Sequence, residues 1–258
     1  MKVFSKAVIA IAVLGLHSAS FAATAAVSVS PAERQKIESV VHEYLLRQPE
    51  VLMEAIQVLQ QKQAQQAQLS MKQTQEKAGS FATPLFHQAN DPVMGNPNGQ
   101  VTVVEFFDYQ CPHCVDMAPV MSALAQANPN VRVIYKEFPI RGPISEFAAR
   151  AALAANKQGK YTEFSHALLK GSATLTKESI MQIAQAAGLN VDQLKKDMDD
   201  NANKNQLNAN IKLAKDLKLF GTPAIFVGKT NANGKDMIKF IPGQVDQAQL
   251  QTIVDATK

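Results

Sequence analysis

The stretch VTVVEFFDYQCPHC, residues 101–114, decides the fold. Its first seven residues are β-branched or aromatic apart from one glutamate, which is the composition of a strand. From Cys111 onward, apolar residues return every three or four positions, the spacing of a helix that faces a core. Pro112 suits the first turn of that helix, because the N–H that proline lacks would have no helical partner there. The sequence therefore predicts a strand that leads directly into a helix beginning at the cysteines.

Cys111 and Cys114 are the only two cysteines in the chain. As a structural crosslink they would close a very short loop, and because disulfide stabilisation grows with loop length, they would constrain the chain little. A structural zinc site needs two further ligands. The histidines that follow residue 22 are scattered without ligand-like spacing: His42, His87, His113 and His166. We therefore predict a redox-active pair, with no metal and no cofactor other than the Cys111–Cys114 disulfide.

The position of Cys111 favours its thiolate form. At a helix N-terminus its sulfur meets unpaired backbone N–H groups and the positive end of the helix dipole. His113 adds to this effect if it is protonated or donates a hydrogen bond, whereas Cys114, one turn in, is expected to be buried and less reactive. A pKa lowered by about four units stabilises the reduced form by roughly 5 kcal/mol, which makes the disulfide a stronger oxidant. The three residues are the predicted catalytic group.

With residues further along the chain, this region resembles the DsbA family of periplasmic thiol–disulfide oxidoreductases, which have the thioredoxin fold. The matching residues are Glu105-Phe106-Phe107, Cys111-Pro112-His113-Cys114, Pro119 and Gly221-Thr222-Pro223-Ala224. The resemblance implies an α/β protein whose catalytic domain, residues 100–258, is a thioredoxin fold with an inserted helical domain. Helical patterns between about residues 144 and 219 fit that insertion.

The resemblance also implies roles for single residues. Pro223 resembles a cis-proline opposite the cysteines, where the backbone of Gly221 and Thr222 receives an extended substrate peptide. Glu105 resembles a buried acid beneath the cysteines, and Lys136 looks like its partner in a proton relay. A solvent-exposed pair at the edge of the sheet is the alternative for these two residues.

Two positions depart from the pattern of the strongest oxidants in the family. Asp108 lies shortly before Cys111, where an anion opposes thiolate formation. Thr222 is similar to the isomerase-type relatives, since the strongest oxidants carry an aliphatic residue before the cis-proline. We therefore expect a protein that forms disulfide bonds, isomerises them, or does both.

Residues 1–22 have the pattern of a cleavable secretory leader. Lys2 and Lys6 precede an apolar run at residues 7–16, and small residues end at Ala22. The alternative is a membrane anchor, but about ten apolar residues fall short of the ~20 needed to cross a bilayer. The leader predicts export, and the resemblance implies the periplasm. It also implies exported cysteine-containing proteins as substrates and a membrane redox partner of the DsbB or DsbD type.

Residues 31–78 differ in kind from the rest of the chain. Two apolar stripes, interrupted at Pro49, predict amphipathic helices too short to bury their faces against each other. We expect this segment to form a homodimer; docking on its own catalytic domain is the alternative. From residue 57 to residue 75, nine of nineteen residues are glutamine, which predicts an arm with almost no core face. Residues 79–99 are expected to be a linker.

The charge distribution gives no indication of nucleic-acid binding. The 26 basic and 22 acidic residues are interleaved, and no basic stripe alternates with stacking aromatic residues. With 46% hydrophobic and 19% charged residues, the chain has the composition of a folded protein. The residues leave two other functions open: a soft-metal carrier that uses the two thiols, and an envelope interaction protein built on the N-terminal helices.

Overall fold

The computed structural model describes residues 29–234 and 237–257 of the chain. The predicted leader, residues 1–22, lies outside the described residues. The chain divides into two compact units, one that ends at Val58 and one that runs from Leu59. Within the described ranges, no helix combines the length and the apolar character that a membrane span requires.

The first unit contains helix α1 (Pro31–Arg47) and the start of helix α2 (Glu50–Lys77). Ser30 begins α1 with a capping box: its Oγ accepts the N–H of Glu33, whose carboxylate accepts the N–H of Ser30 at 3.0 Å. No residue of α1 is buried. The two predicted apolar stripes are largely solvent-exposed, with exposed side chains at Ile37, Val40, Val41, Tyr44, Leu52, Ile56 and Leu59.

The described part of the second unit contains a five-stranded sheet with the order β1-β3-β2-β4-β5. The strands are β1 (Val93–Gly95), β2 (Val101–Phe107), β3 (Val131–Glu137), β4 (Ala224–Lys229) and β5 (Lys239–Pro242). The central pair β2 and β3 is parallel and therefore needs a crossover connection, whereas the other pairs are antiparallel. The predicted mixed α/β class is confirmed.

The helices that follow α2 surround this sheet. Among the described residues they are α3 (Ala82–Phe86), α4 (Pro112–Ala127), α5 (Pro143–Lys157), α6 (Tyr161–Lys170), α7 (Lys177–Ala186), α8 (Val191–Asp199), α9 (Asn201–Asp216) and α10 (Gln247–Asp255). Helices α5 to α9 lie between β3 and β4, in the stretch where the sequence predicts an inserted helical domain.

Both faces of the sheet are covered, so β2 is buried at every position. The cysteine face carries Val103 and Phe107 and packs against α4, α5, α6, α7, α8 and α10, with both cysteines in its core. The opposite face carries Val104 and Phe106 and packs against α3, α9 and the end of α2. Since neighbouring residues of a strand alternate between faces, each buried side chain of β2 and β3 belongs to one face only.

Two predictions about the segment before β2 are wrong. Residues 79–99 are not a linker: Leu85 and Phe86 are buried against the opposite face, and β1 forms one edge of the sheet. Nor is the glutamine-rich stretch a free arm along its whole length, because Thr74 is buried and Gln75 hydrogen-bonds to the backbone of Ile238 and Phe240. The physical reason is that this face of the sheet would otherwise expose its apolar side chains.

Candidate active site

The two cysteines occupy the start of α4. Cys111 is the N-cap residue, with extended backbone angles, and Pro112 takes the first helical position. The sulfur of Cys111 donates a hydrogen bond to the carbonyl oxygen of Thr222 at 3.2 Å. Both side chains are buried, and both thiols are free. The predicted strand and helix therefore place Cys111 at a helix N-terminus.

The two thiols differ sharply in acidity. Burial opposes ionisation of Cys111, but the N–H groups of Cys114 and His113 at the start of α4 favour the thiolate, and the pKa of Cys111 is lowered. Burial and the nearby carboxylate of Glu105 raise the pKa of Cys114 far above the ordinary value. Cys111 is therefore the thiol suited to attack a disulfide and to act as the leaving group in the exchange.

His113 acts on Cys111 through its backbone N–H group. Its imidazole Nδ1 lies 3.0 Å from Oε1 of Gln244, on the surface of the domain. Gln244 follows Gly243, whose N–H donates a hydrogen bond to the carbonyl of Pro223 at 2.9 Å. The His113 side chain thus connects the start of α4 with the segment after β5.

The segment Gly221-Thr222-Pro223 lies opposite Cys111, as the resemblance implies. The peptide bond between Thr222 and Pro223 is cis. The Thr222 carbonyl contacts the Cys111 sulfur, and Pro223 is buried at the start of β4. We call residues 219–223 the cis-proline loop.

Glu105 is buried on the cysteine face of the sheet. Lys136, its predicted partner, is displaced by one position along the neighbouring strand. Its Oε1 has no hydrogen-bond partner, and burial, together with repulsion from Cys111, raises its pKa to about 8. Its register partner in β3 is Tyr135, while Lys136 is opposite Phe106. The two predicted relay residues therefore belong to opposite faces of the sheet.

The prediction that Lys136 partners Glu105 is wrong. The Lys136 Nζ lies 2.5 Å from Oδ2 of Asp91 and also donates to the carbonyl of Pro84 at 2.9 Å. Asp91 and Pro84 both lie in the segment that the sequence predicts to be a linker. Lys136 therefore joins that segment to the sheet and has no contact with the cysteines.

Asp108, which the sequence predicts to oppose the Cys111 thiolate, is bound by four local hydrogen-bond donors. The Asp108 carboxylate accepts hydrogen bonds from the N–H groups of Ile140 and Arg141 at 2.7 and 2.9 Å. It also accepts from the Ser145 hydroxyl and the N–H of Gln110, each at 2.7 Å. These four hydrogen bonds join the segment before Cys111 to the start of α5.

A buried cluster that the sequence reasoning missed lies beside this segment. The hydroxyls of Tyr109 and Tyr161 donate to Oε1 of Glu137 at 2.9 and 2.7 Å, and Ser165 Oγ lies 3.2 Å from the Tyr109 hydroxyl. Burial raises the pKa of Glu137 to about 8, although the two tyrosines favour its ionised form. The available signal was a pair of polar residues near strand ends: Tyr109, two residues after β2, and Glu137, the last residue of β3.

No group of three or more His, Cys, Asp or Glu side chains that could hold a metal ion occurs among the described residues.

Two family descriptions match the chain. The DSBA-like thioredoxin domain matches residues 102–255, which include the cysteines, the inserted helices and the cis-proline loop. The N-terminal domain of the copper resistance protein ScsC matches residues 33–66, which cover most of α1 and the first part of α2.

Solved structures resemble the chain over most of its length. A thioredoxin-like oxidoreductase from Silicibacter pomeroyi is 43% identical, with a TM-score of 0.62, covering 67% of this chain and 95% of that one. The thiol-disulfide exchange protein alpha-DsbA2 from Wolbachia pipientis is 28% identical, with a TM-score of 0.65 and coverage of 73% and 97%. BcfH from Salmonella enterica Typhimurium is 32% identical, with a TM-score of 0.63 and coverage of 88% and 96%. The predicted thioredoxin fold with a helical N-terminal region is confirmed.

Among curated proteins, the chain is similar to one part of much longer relatives. The Na(+)/H(+) antiporter NhaA 3 from Salinispora tropica is 28% identical over 160 residues, which are 61% of this chain. The match covers 24% of that protein, so the chain spans about a quarter of its length.

Proposed function

This chain belongs to the family of DSBA-like thioredoxin domains, a family of thiol–disulfide oxidoreductases, and from that premise we propose that it forms and isomerises disulfide bonds in exported proteins. The observation that carries the proposal is the position of Cys111. Its sulfur lies at the N-terminus of α4, 3.2 Å from the Thr222 carbonyl, and its pKa is lowered.

In the oxidising direction the Cys111–Cys114 disulfide accepts two electrons from a substrate. A substrate thiolate attacks the Cys111 sulfur; the new bond joins the substrate to Cys111, and the electron pair of the broken bond goes to the Cys114 sulfur. A second substrate thiolate then attacks the substrate sulfur of this mixed disulfide. Cys111 leaves as a thiolate, and the substrate keeps the new disulfide.

In the isomerising direction the reduced protein begins the exchange. The Cys111 thiolate attacks a substrate disulfide and releases one substrate thiolate, which is free to attack another substrate disulfide. Re-pairing releases Cys111 with no net change in electrons. Where re-pairing fails, the Cys114 thiolate attacks the Cys111 sulfur, releases the substrate reduced and leaves the Cys111–Cys114 disulfide.

Glu105 is suited to exchange a proton with Cys114. The Cys114 thiol is buried and its pKa is raised, so its thiolate forms only if a nearby group takes the proton. Glu105 interacts electrostatically with both cysteines, and its pKa of about 8 lies near neutrality. We therefore assign the proton exchange to Glu105 alone, without Lys136.

The compartment and partners follow from the same proposal. The leader pattern of residues 1–22 supports export to the periplasm, where the substrates are exported cysteine-containing proteins. A membrane redox partner of the DsbB or DsbD type would reset the cysteine pair. The exposed apolar side chains of α1 and the start of α2 support self-association as a homodimer, because such a stripe is stable when a second copy covers it.

Disulfide exchange by purified variants tests the proposal. The wild type is expected to reduce insulin and to refold a substrate with scrambled disulfides, whereas Cys111→Ala loses both activities. Cys114→Ala should instead accumulate a mixed disulfide with the substrate, visible on a non-reducing gel. Undiminished exchange by Cys111→Ala would contradict the proposal.

The redox state of the pair in cells, read by thiol alkylation, separates the two directions: a mostly oxidised pair indicates an oxidase and a mostly reduced pair an isomerase.

A further inference from the structure

The segment before Cys111, residues 108–110, connects the end of β2 to the N-cap residue of α4. It forms a tight turn, in which the N–H of Cys111 donates to the carbonyl of Asp108 at 3.1 Å. Tyr109 lies in the middle of the segment and is fully buried. A tyrosine hydroxyl that is removed from water needs a hydrogen-bond partner in the interior. The partner of this hydroxyl therefore affects where the segment lies, and with it Cys111.

The side chain of Tyr109 joins the segment to the sheet. Its hydroxyl donates to Oε1 of Glu137 at 2.9 Å, and Ser165 Oγ of α6 lies 3.2 Å from it. Glu137 is the last residue of β3 and is paired in register with Phe107, the last residue of β2. The next residue, Phe138, donates its N–H to the carbonyl of Phe107 at 2.9 Å. The backbone that carries Glu137 is therefore bonded to β2 at the point where the segment begins.

The inserted helices contact the same segment from another side. Ser172, in a short 3-10 helix after α6, donates its hydroxyl to the carbonyl of Tyr109 at 2.6 Å. Ser145 Oγ, at the start of α5, lies 2.7 Å from Oδ1 of Asp108 and 3.0 Å from Oε1 of Gln110. The segment is therefore held between the sheet, through Tyr109, and the inserted helices, through Ser145 and Ser172.

The chemistry of Cys111 depends on where its sulfur lies. The sulfur is 3.2 Å from the Thr222 carbonyl, and the N–H groups of His113 and Cys114 at the start of α4 favour the thiolate. Attack on a disulfide also depends on the distance and angle of approach, and a misplacement of about 1 Å can slow a reaction about a hundredfold. A small change in the segment before Cys111 can therefore alter the rate of exchange through the backbone.

We propose that Tyr109 is a positioning residue for disulfide exchange: its hydroxyl, bound by Glu137, fixes the segment before Cys111 and so places the Cys111 sulfur. The inference rests on the proposed function.

Tyr161 offers an internal comparison for Tyr109. Its hydroxyl donates to the same Oε1 of Glu137 at 2.7 Å, and its side chain is also buried. Tyr161, however, begins α6, whereas Tyr109 precedes Cys111 by two residues. The two tyrosines therefore share one acceptor, and only the loss of the Tyr109 hydroxyl should be felt at the reactive sulfur.

Tyr109→Phe and Tyr161→Phe form a matched pair of variants. Each removes one hydroxyl from the same carboxyl and keeps the buried ring, so the two should lose stability in urea to a similar extent. In Tyr109→Phe, the rate constant for reaction of the reduced protein with oxidised glutathione should fall about fivefold. The pKa of Cys111, measured from the pH profile of its alkylation by iodoacetamide, should rise. Tyr161→Phe should stay within about twofold of the wild-type rate constant.

Variants of Glu137 test whether Tyr109 acts through this carboxyl. Burial raises the pKa of Glu137 to about 8, so at pH 7 most of it carries a proton and glutamine resembles that form. Glu137→Gln keeps an acceptor and should retain the wild-type rate constant at pH 7. Glu137→Leu removes the acceptor and should slow exchange as Tyr109→Phe does. Addition of Tyr109→Phe to Glu137→Leu should then have little further effect, because the bond is already lost.

Two outcomes would overturn the inference. One is equal slowing in Tyr109→Phe and Tyr161→Phe, because the cluster would then act through overall stability. The other is a rate constant and a Cys111 pKa that are both unchanged in Tyr109→Phe. If Glu137→Leu does not fold, the two tyrosine variants still give the answer. Failure of the wild type to react with any disulfide would overturn the proposed function, whereas the alkylation profiles, which need no exchange, would still test the placement of Cys111.

Discussion

The two faces of the central sheet contain different kinds of buried charged groups. On the opposite face, Lys136 forms a buried ion pair with Asp91. On the cysteine face, Glu105 and Glu137 are buried acids whose pKa values are raised to about 8. Lys136 directly precedes Glu137 in β3 and is opposite Phe106. A single position along the strand therefore separates the ion pair on one face from the buried acids on the other. A charged pair fixes a segment in place, whereas an acid that titrates near neutrality can exchange protons.

Removal of the Lys136 amino group should give the largest loss of stability. Lys136→Met leaves Asp91 buried without its cation, which typically costs about 3–5 kcal/mol of unfolding free energy. Burial already raises the pKa of Asp91 to about 6 despite Lys136, so the carboxyl of the variant protonates readily in acid. The loss should therefore be larger at pH 7.5 than at pH 5, measured by urea denaturation.

The double variant Asp91→Asn, Lys136→Met is the control for this prediction. It removes both charges and should recover part of the lost stability. The lowered pKa of Cys111 should be unchanged in both variants, because the ion pair lies on the other face. A loss below about 1 kcal/mol at pH 7.5 would show that the pair does not hold the segment.

Local sequence patterns predict part of the fold and of the site, and long-range contacts account for the rest. The strand before Cys111 and the helix after it follow from local patterns, and the cis-proline loop follows from the family motif. The partner of Lys136 does not, because Asp91 lies 45 residues earlier in a segment whose composition resembles a linker. Likewise, the contacts of Thr74 and Gln75 span more than 140 residues, and no local pattern in a glutamine-rich helix indicates them.

Replacement of Glu105 should remove part of the pH dependence of stability. A carboxyl whose pKa is raised from 4.5 to about 8 binds its proton more tightly in the folded protein than in the unfolded chain. The stability of the wild type therefore falls as the pH rises from about 4.5 to about 8. Glu105→Gln cannot ionise, so its advantage over the wild type should be about 2–4 kcal/mol greater at pH 9 than at pH 4.5.

The oxidised protein is the form to measure, because its cysteines do not titrate and the pKa of Glu105 is then raised by burial alone, which is its largest cause. Glu38→Gln, on the exposed surface of α1, is the control and should follow the wild type at each pH. Parallel pH profiles for wild type and Glu105→Gln would be inconsistent with a strongly raised pKa.

In an exchange that starts from the reduced protein, Glu105→Gln should lengthen the lifetime of the mixed disulfide about tenfold or more if Glu105 takes the Cys114 proton.

The smallest effect is expected at Glu137, because this acid has hydrogen-bond partners that Glu105 lacks. Tyr161→Phe removes one donor and leaves the Tyr109 hydroxyl in place. The loss should be about 1 kcal/mol near neutrality. Because the Tyr161 hydroxyl favours the ionised carboxylate, its removal raises the pKa of Glu137 above about 8, so the loss grows with rising pH. Tyr135→Phe is the matched control, since its hydroxyl lies 3.9 Å from the Met94 sulfur and should cost less. Equal losses in the two variants at pH 9 would contradict the prediction, because the Tyr161 hydroxyl would then contribute no more to stability than a hydroxyl that does not bond to Glu137.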